Sequence, residues 1–112
     1  MRFLLIVLFS FSLATTASGQ FVQNRGEWDD LSQSAKVGYV MGVLDRHLVL
    51  LPTDIDDQIA NKKRLLSCLH DLGIDNLDLT KLVEEKYTDL DFWDWPPHAI
   101  IMNILFGLCQ EQ

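Results

Sequence analysis

Basic residues are scarce in this chain. Nine lysines and arginines stand against sixteen aspartates and glutamates, a formal charge of −7. That balance argues against nucleic acid and anionic membrane surfaces as partners, because phosphate contacts are made by lysine and arginine. It suits a basic protein partner, toward which long-range attraction speeds encounter, and it equally serves solubility. Internal repeats and low-complexity tracts are missing. Beyond the first residues there is also no apolar run of the ~20 residues needed to span a bilayer. Cysteine is limited to Cys68 and Cys109, so no lipid-anchor cysteine follows the leader-like beginning.

That beginning reads as a secretory signal. Arg2 is its only charge, Phe3 to Leu13 is a run of apolar residues and serines, and Ala14 to Gly19 is small and polar. The pattern predicts a signal peptide over residues 1–19, cut before Gln20 or two residues earlier. A polar segment over 20–26 and one helical domain over 27–112 follow. Arg2 leaves with the leader, so eight basic residues face sixteen acidic ones, a mature charge of −8. Export to an oxidising compartment makes a Cys68–Cys109 disulfide the simplest state of the two thiols. It also removes them as nucleophiles.

Signals of catalysis are missing too. His47, His70 and His98 are the only histidines, and none has metal-ligand spacing with another histidine or cysteine. Asp45 with His47, and His70 with Asp71, are too close in sequence to face one another on a helix. No Gly-x-Ser-x-Gly elbow and no phosphate-cradling glycine loop is present. Asp56 with Asp57 and Glu84 with Glu85 diverge on a helix and read as solvated faces. The expectation is a protein without catalytic residues, metal or cofactor.

What is present is helical periodicity. A first helix is expected from about Glu27 to Val49, with an acidic first turn suited to the helix dipole and an apolar stripe through Trp28, Leu31, Ala35, Tyr39 and Val43. Gly38 and Gly42 lie one turn apart on it. Each costs about 1 kcal/mol relative to alanine, which points to a close helix crossing, within the core or between subunits. Thr53 or Asp54 is expected to cap a second helix reaching Leu72, with Ile55, Ile59, Leu65, Leu66, Leu69 and Leu72 as its apolar face and Gly73 as its stop. A connection from Ile74 to Asp78 leads into a third helix over about Leu79 to Tyr87. Pro96 and Pro97 open the last helix, where first-turn amides lack intrahelical partners anyway. Its buried face is expected to be Ile100, Ile101, Ile104, Leu105 and Leu108. Both cysteines fall near the ends of apolar faces, so the disulfide would join the second and fourth helices. The fold class is a small all-α, four-helix domain.

Three segments carry a family likeness: GYVMGVLD (Gly38 to Asp45), CLHDLGIDNLDLTKLVEEKY (Cys68 to Tyr87) and WDWPPHAIIMNILFGLC (Trp93 to Cys109). In these the chain resembles the Rap/Tai-type immunity proteins associated with type VI secretion. The matching positions are structural: the glycines, Tyr39, the Pro96–Pro97 turn and the cysteine pair. Two departures stand out. Phe106 is followed by Gly107 and Leu108 where the family often has Phe-Pro-Cys, and His47 to Leu66 carries no family signature. The resemblance implies a periplasmic helical protein, often a homodimer, that occludes a secreted cell-wall-degrading effector without chemistry of its own. A structural or chaperone-like periplasmic protein without a toxin partner is the alternative.

The candidate partner surface comes from the residues themselves. Asp89, Asp91 and Asp94 are interleaved with Phe92, Trp93 and Trp95, and aromatic anchors bracketed by charge are what interface hot spots favour. The competing reading has Trp93 and Trp95 closing the core beneath the proline turn.

Overall fold

The computed structural model describes residues 21–110. The signal peptide expected over 1–19 lies outside the described residues. Among the described residues there are five α-helices and one 3-10 turn: α1 (Arg25–Asp29), α2 (Gln33–Leu48), α3 (Asp56–Leu72), α4 (Asn76–Lys86), the turn Leu90–Phe92, and α5 (Pro97–Leu108). The chain is all-α, as the periodicity indicates. No helix among the described residues is long and apolar enough to cross a membrane.

The first expected helix is in fact two. Leu31 N–H donates to Trp28 O, and Ser32 restarts the helix by accepting from Ala35 N–H at 3.2 Å. A serine hydroxyl competes for backbone amides, so it favours such a cap over a helix interior. The break lets α1 swing Trp28 into full burial, edge-on to Tyr39 at 5.9 Å and 6.3 Å from Tyr87. The polar stretch before Glu27 is organised as well. Asn24 accepts from Glu27 N–H at 3.0 Å, and Arg25 and Gly26 already belong to α1.

Every long helix meets α2, which packs on α3, α4 and α5, while α4 also packs on α5. Val40 and Leu48 of α2, Leu79 and Val83 of α4, and Ile100, Ile101 and Leu105 of α5 form the core, with Tyr87 at its edge. Lys36 is buried with them. Its ammonium meets Glu84 at 2.7 Å and lies 5.6 Å from the Trp28 ring, so one cation ties α2 to both α4 and α1.

α3 has only α2 as an extensive helical neighbour. Its buried stripe is accordingly narrow: Leu65 and Leu69 are buried, Ile59 is half-buried, and Ile55, Leu66 and Leu72 are exposed, against the broader face expected. Leu108 on α5 is likewise exposed. The cap residue also differs from expectation. Ile55 occupies the cap position and Gln58 accepts its N–H at 3.0 Å. Asp54 instead accepts from Leu51 N–H at 2.8 Å and from Lys62 at 2.7 Å. Gly73 ends α3 with φ 65°, the left-handed conformation that favours glycine.

α4 begins three residues earlier than the periodicity alone suggests, because Asp75 and Asp78 cap one another. Asp75 accepts from Asp78 N–H at 2.8 Å, and Asp78 accepts from Asp75 N–H at 3.1 Å. Pro96 and Pro97 open α5 as expected.

Cys68 and Cys109 form the disulfide, with Cα atoms 5.8 Å apart, within the usual range. It joins α3 to the end of α5. The Arg64 guanidinium adds a hydrogen bond to Cys109 O across the same junction. Gly38 and Gly42 correct the sequence reading. Both are exposed, and a Cβ built on either meets nothing within 4 Å, so neither supports a helix crossing within the chain.

Candidate functional site

The acidic aromatic segment between α4 and α5 is held by its own backbone and by α1. Asp89 accepts from Asp91 N–H at 3.0 Å and starts the 3-10 turn. Tyr87, buried at the end of α4, donates its hydroxyl to Trp95 O at 2.7 Å, and its own carbonyl accepts from Trp93 Nε1 at 2.9 Å. Two bonds therefore fasten both tryptophan positions to the residue that caps α4. Burial, followed by the charges of Tyr39 and Asp29, raises the Tyr87 phenol well above its ordinary range, so it stays a neutral donor.

From the other side, Arg25 N–H donates to Trp93 O at 3.0 Å while the Arg25 guanidinium lies 4.4 Å from the Trp93 ring. Phe92 and Trp95 meet edge-to-face at 4.9 Å, and the Lys86 ammonium lies 4.7 Å from the Phe92 ring. Only Phe92 joins the core. Trp93 and Trp95 remain 41% and 39% exposed and Leu90 68% exposed, flanked by exposed Asp89, Asp91 and Asp94. Both tryptophans are thus partly covered, Trp95 through Phe92 and Trp93 through its bond to Tyr87 O. Tyr87 and Pro97 beside them are buried.

Beside this surface, α4 and α5 leave a groove of about 470 Å³ with Leu82, Ile104 and Leu108 along it and Glu85 and Asp89 among its polar residues.

The histidines separate into one pair and one outlier. His47 of α2 and His98 of α5 line one cleft together with Tyr39, Gly42, Val43, Arg46 and Phe21. Sequence spacing gave no sign of this, because the two histidines converge only through the α2–α5 packing. Burial, with Arg46, His98 and Lys62 adding their charge, lowers the His47 pKa below its ordinary value. Tyr39 is raised by burial, and the His98 backbone partly opposes that shift. His70 lies elsewhere, in an apolar cleft with Leu44, Leu48, Leu69 and Ile74. Among the described residues no three of His, Cys, Asp or Glu gather as a metal site.

No family model, curated protein or solved structure matches this chain. The Arg25 contacts are a further part of the surface that the sequence did not reveal, since a lone arginine in a polar stretch carries no local signal of its partner.

Proposed function

We propose that this chain is a non-catalytic periplasmic immunity protein that binds a secreted cell-wall-degrading effector and blocks it by occlusion. The observation that carries the reading is the surface over residues 89–95: two partly exposed tryptophans and an exposed leucine, set among three exposed carboxylates, on a backbone fixed by Tyr87 and Arg25. Rigid aromatic anchors lose little freedom on association, which is what makes them effective at interfaces. The carboxylates suit a basic effector surface, steering its approach and setting the orientation of docking. The family resemblance of the three segments supports the same role.

The test is co-purification with a secreted hydrolase encoded beside this chain, with peptidoglycan hydrolysis measured at increasing amounts of this protein. Asp91→Lys with Asp94→Lys is expected to leave the melting temperature unchanged and to weaken binding at least about tenfold, or ~1.4 kcal/mol. Unchanged inhibition by that variant would remove the loop from the interface. The second reading, a structural or chaperone-like binding protein, draws on the exposed aliphatic run Val49, Leu50 and Leu51 with Ile55. It predicts suppression of aggregation of an unfolded client, and no effect on any hydrolase.

A further inference from the structure

The cleft between α2 and α5 is set apart from the rest of this acidic molecule by its charge. Its titratable and charged lining residues are Arg46, His47, His98 and the phenol Tyr39, and none is a carboxylate. Its volume of about 440 Å³ lies within the range of about 300–1,000 Å³ typical of small-molecule sites. The remaining lining is apolar, from half-buried Val43 and from Phe21, which is itself 85% exposed, and Gly42 contributes no side chain at all. A Cβ at Gly42 would meet nothing within 4 Å, so the fold itself does not require glycine there. Yet a glycine inside a helix costs about 1 kcal/mol relative to alanine. Its effect is to keep the cleft open.

We propose that this cleft binds a small amphipathic carboxylate, with an aryl or alkyl group seated against Phe21, Tyr39 and Val43 over Gly42, and the anionic head facing Arg46, His47 and His98. One guanidinium with two imidazoles and no lining carboxylate, on a chain of net charge −7, suits an anion, and the apolar lining selects for a hydrophobic group attached to it. The guanidinium supplies the fixed charge, and its planar fork matches a carboxylate. The His47 imidazole supplies a charge that depends on pH. The charges acting on His47 are Arg46 from its own helix, Lys62 from α3 and His98 from α5, all of one sign. Lys62 is already paired with Asp54 at 2.7 Å. A bound anion opposes these charges, so binding and protonation of His47 strengthen one another. The site is independent of the 89–95 surface, and its failure leaves the proposed function untouched.

Two sources share this chemistry: a free aromatic or fatty acid, and the carboxy terminus of a peptide ending in a bulky apolar residue. The probes are 2-naphthoate, its neutral counterpart 2-naphthylmethanol, and the tripeptide Ala-Leu-Phe as free acid and as amide. Each is titrated into the 15N-labelled chain with backbone amide and histidine ring signals recorded. The expected result is saturable shifts at Val43, His47 and His98 with 2-naphthoate or the free-acid tripeptide, and at least about tenfold weaker binding of the uncharged counterpart. Affinity is expected to be higher near about pH 6 than near about pH 8, where His47 is neutral, and ligand is expected to raise the His47 pKa. Gly42→Leu should abolish binding while the melting temperature holds, and Arg46→Gln should weaken it about fivefold or more. Saturation by naphthoate alone assigns a free acid, and saturation by the tripeptide acid assigns a chain terminus. Equal binding of acid and neutral probe, binding unaffected by Gly42→Leu, or no shifts at about 10 mM ligand would each overturn the proposal.

Discussion

Removing the Cys68–Cys109 bridge is the perturbation with the largest expected effect on stability. The bridge closes a loop across a sequence separation of 41, and the chain-entropy relation for such a loop gives about 4 kcal/mol at 25 °C. For a domain of ~90 residues, 1 kcal/mol moves the melting temperature by roughly 4–8 °C, so the shift expected is about 20 °C. Folded-state packing offers little compensation, because α3 rests chiefly on α2 and meets the end of α5 mainly around the bridge and the Arg64–Cys109 contact. The double variant Cys68→Ala with Cys109→Ala should therefore unfold at much lower urea than the wild type, with far-ultraviolet circular dichroism reporting helix and near-ultraviolet signals reporting the packing of the tryptophans and tyrosines. The wild type under reducing conditions should match the variant. A loss below about 1 kcal/mol would show that the unbridged chain is already restricted, and that loop closure is not what the disulfide contributes.

Tyr87→Phe deletes the bond to Trp95 O without changing packing; a loss of about 1 kcal/mol is expected, read by urea denaturation, with a change in tryptophan fluorescence from the freed loop. Gly107→Ala in α5, where an added Cβ meets nothing within 4 Å, should stabilise by about 1 kcal/mol, whereas Gly73→Ala, at φ 65°, should destabilise by about 1–2 kcal/mol; thermal melts decide both. Acid sensitivity follows from two carboxylates held below their ordinary range: Asp54 by the Leu51 amide and then Lys62, and Asp75 chiefly by the Asp78 amide. A depressed folded pKa gives stability that is present above the ordinary carboxylate value and lost as pH falls through the folded one, so denaturation midpoints should decline below about pH 4, and less steeply in Asp54→Asn.

The helical class, the disulfide and the proline start of α5 were legible because each has a local or compositional signature: spacing of apolar residues, a single pair of cysteines, and proline where amides are unpaired. The restart at Ser32 was not, since Trp28, Leu31 and Ala35 keep helical spacing straight through it. Only the burial of Trp28 against Tyr39 and Tyr87 shows why the chain bends there. The breadth of α3's apolar face was overread for a similar reason. Ile55, Leu66 and Leu72 have the right periodicity, but whether a second helix covers them is a tertiary fact. The segment from Asp89 to Trp95 was recognisable as aromatic and acidic, while its anchoring to Arg25 and Tyr87 was not. The convergence of His47 and His98 lies wholly outside sequence spacing, because helices far apart in the chain supply them.

The bond from Arg25 N–H to Trp93 O has a practical corollary. The shape of the tryptophan segment is set partly by residues near Asn24, so a synthetic peptide copying only residues 87–97 would lose one of its clamps and sample many conformers. Transplanting this surface onto another scaffold, or miniaturising it as an inhibitor, would require carrying the short helix at Arg25–Asp29 along with it.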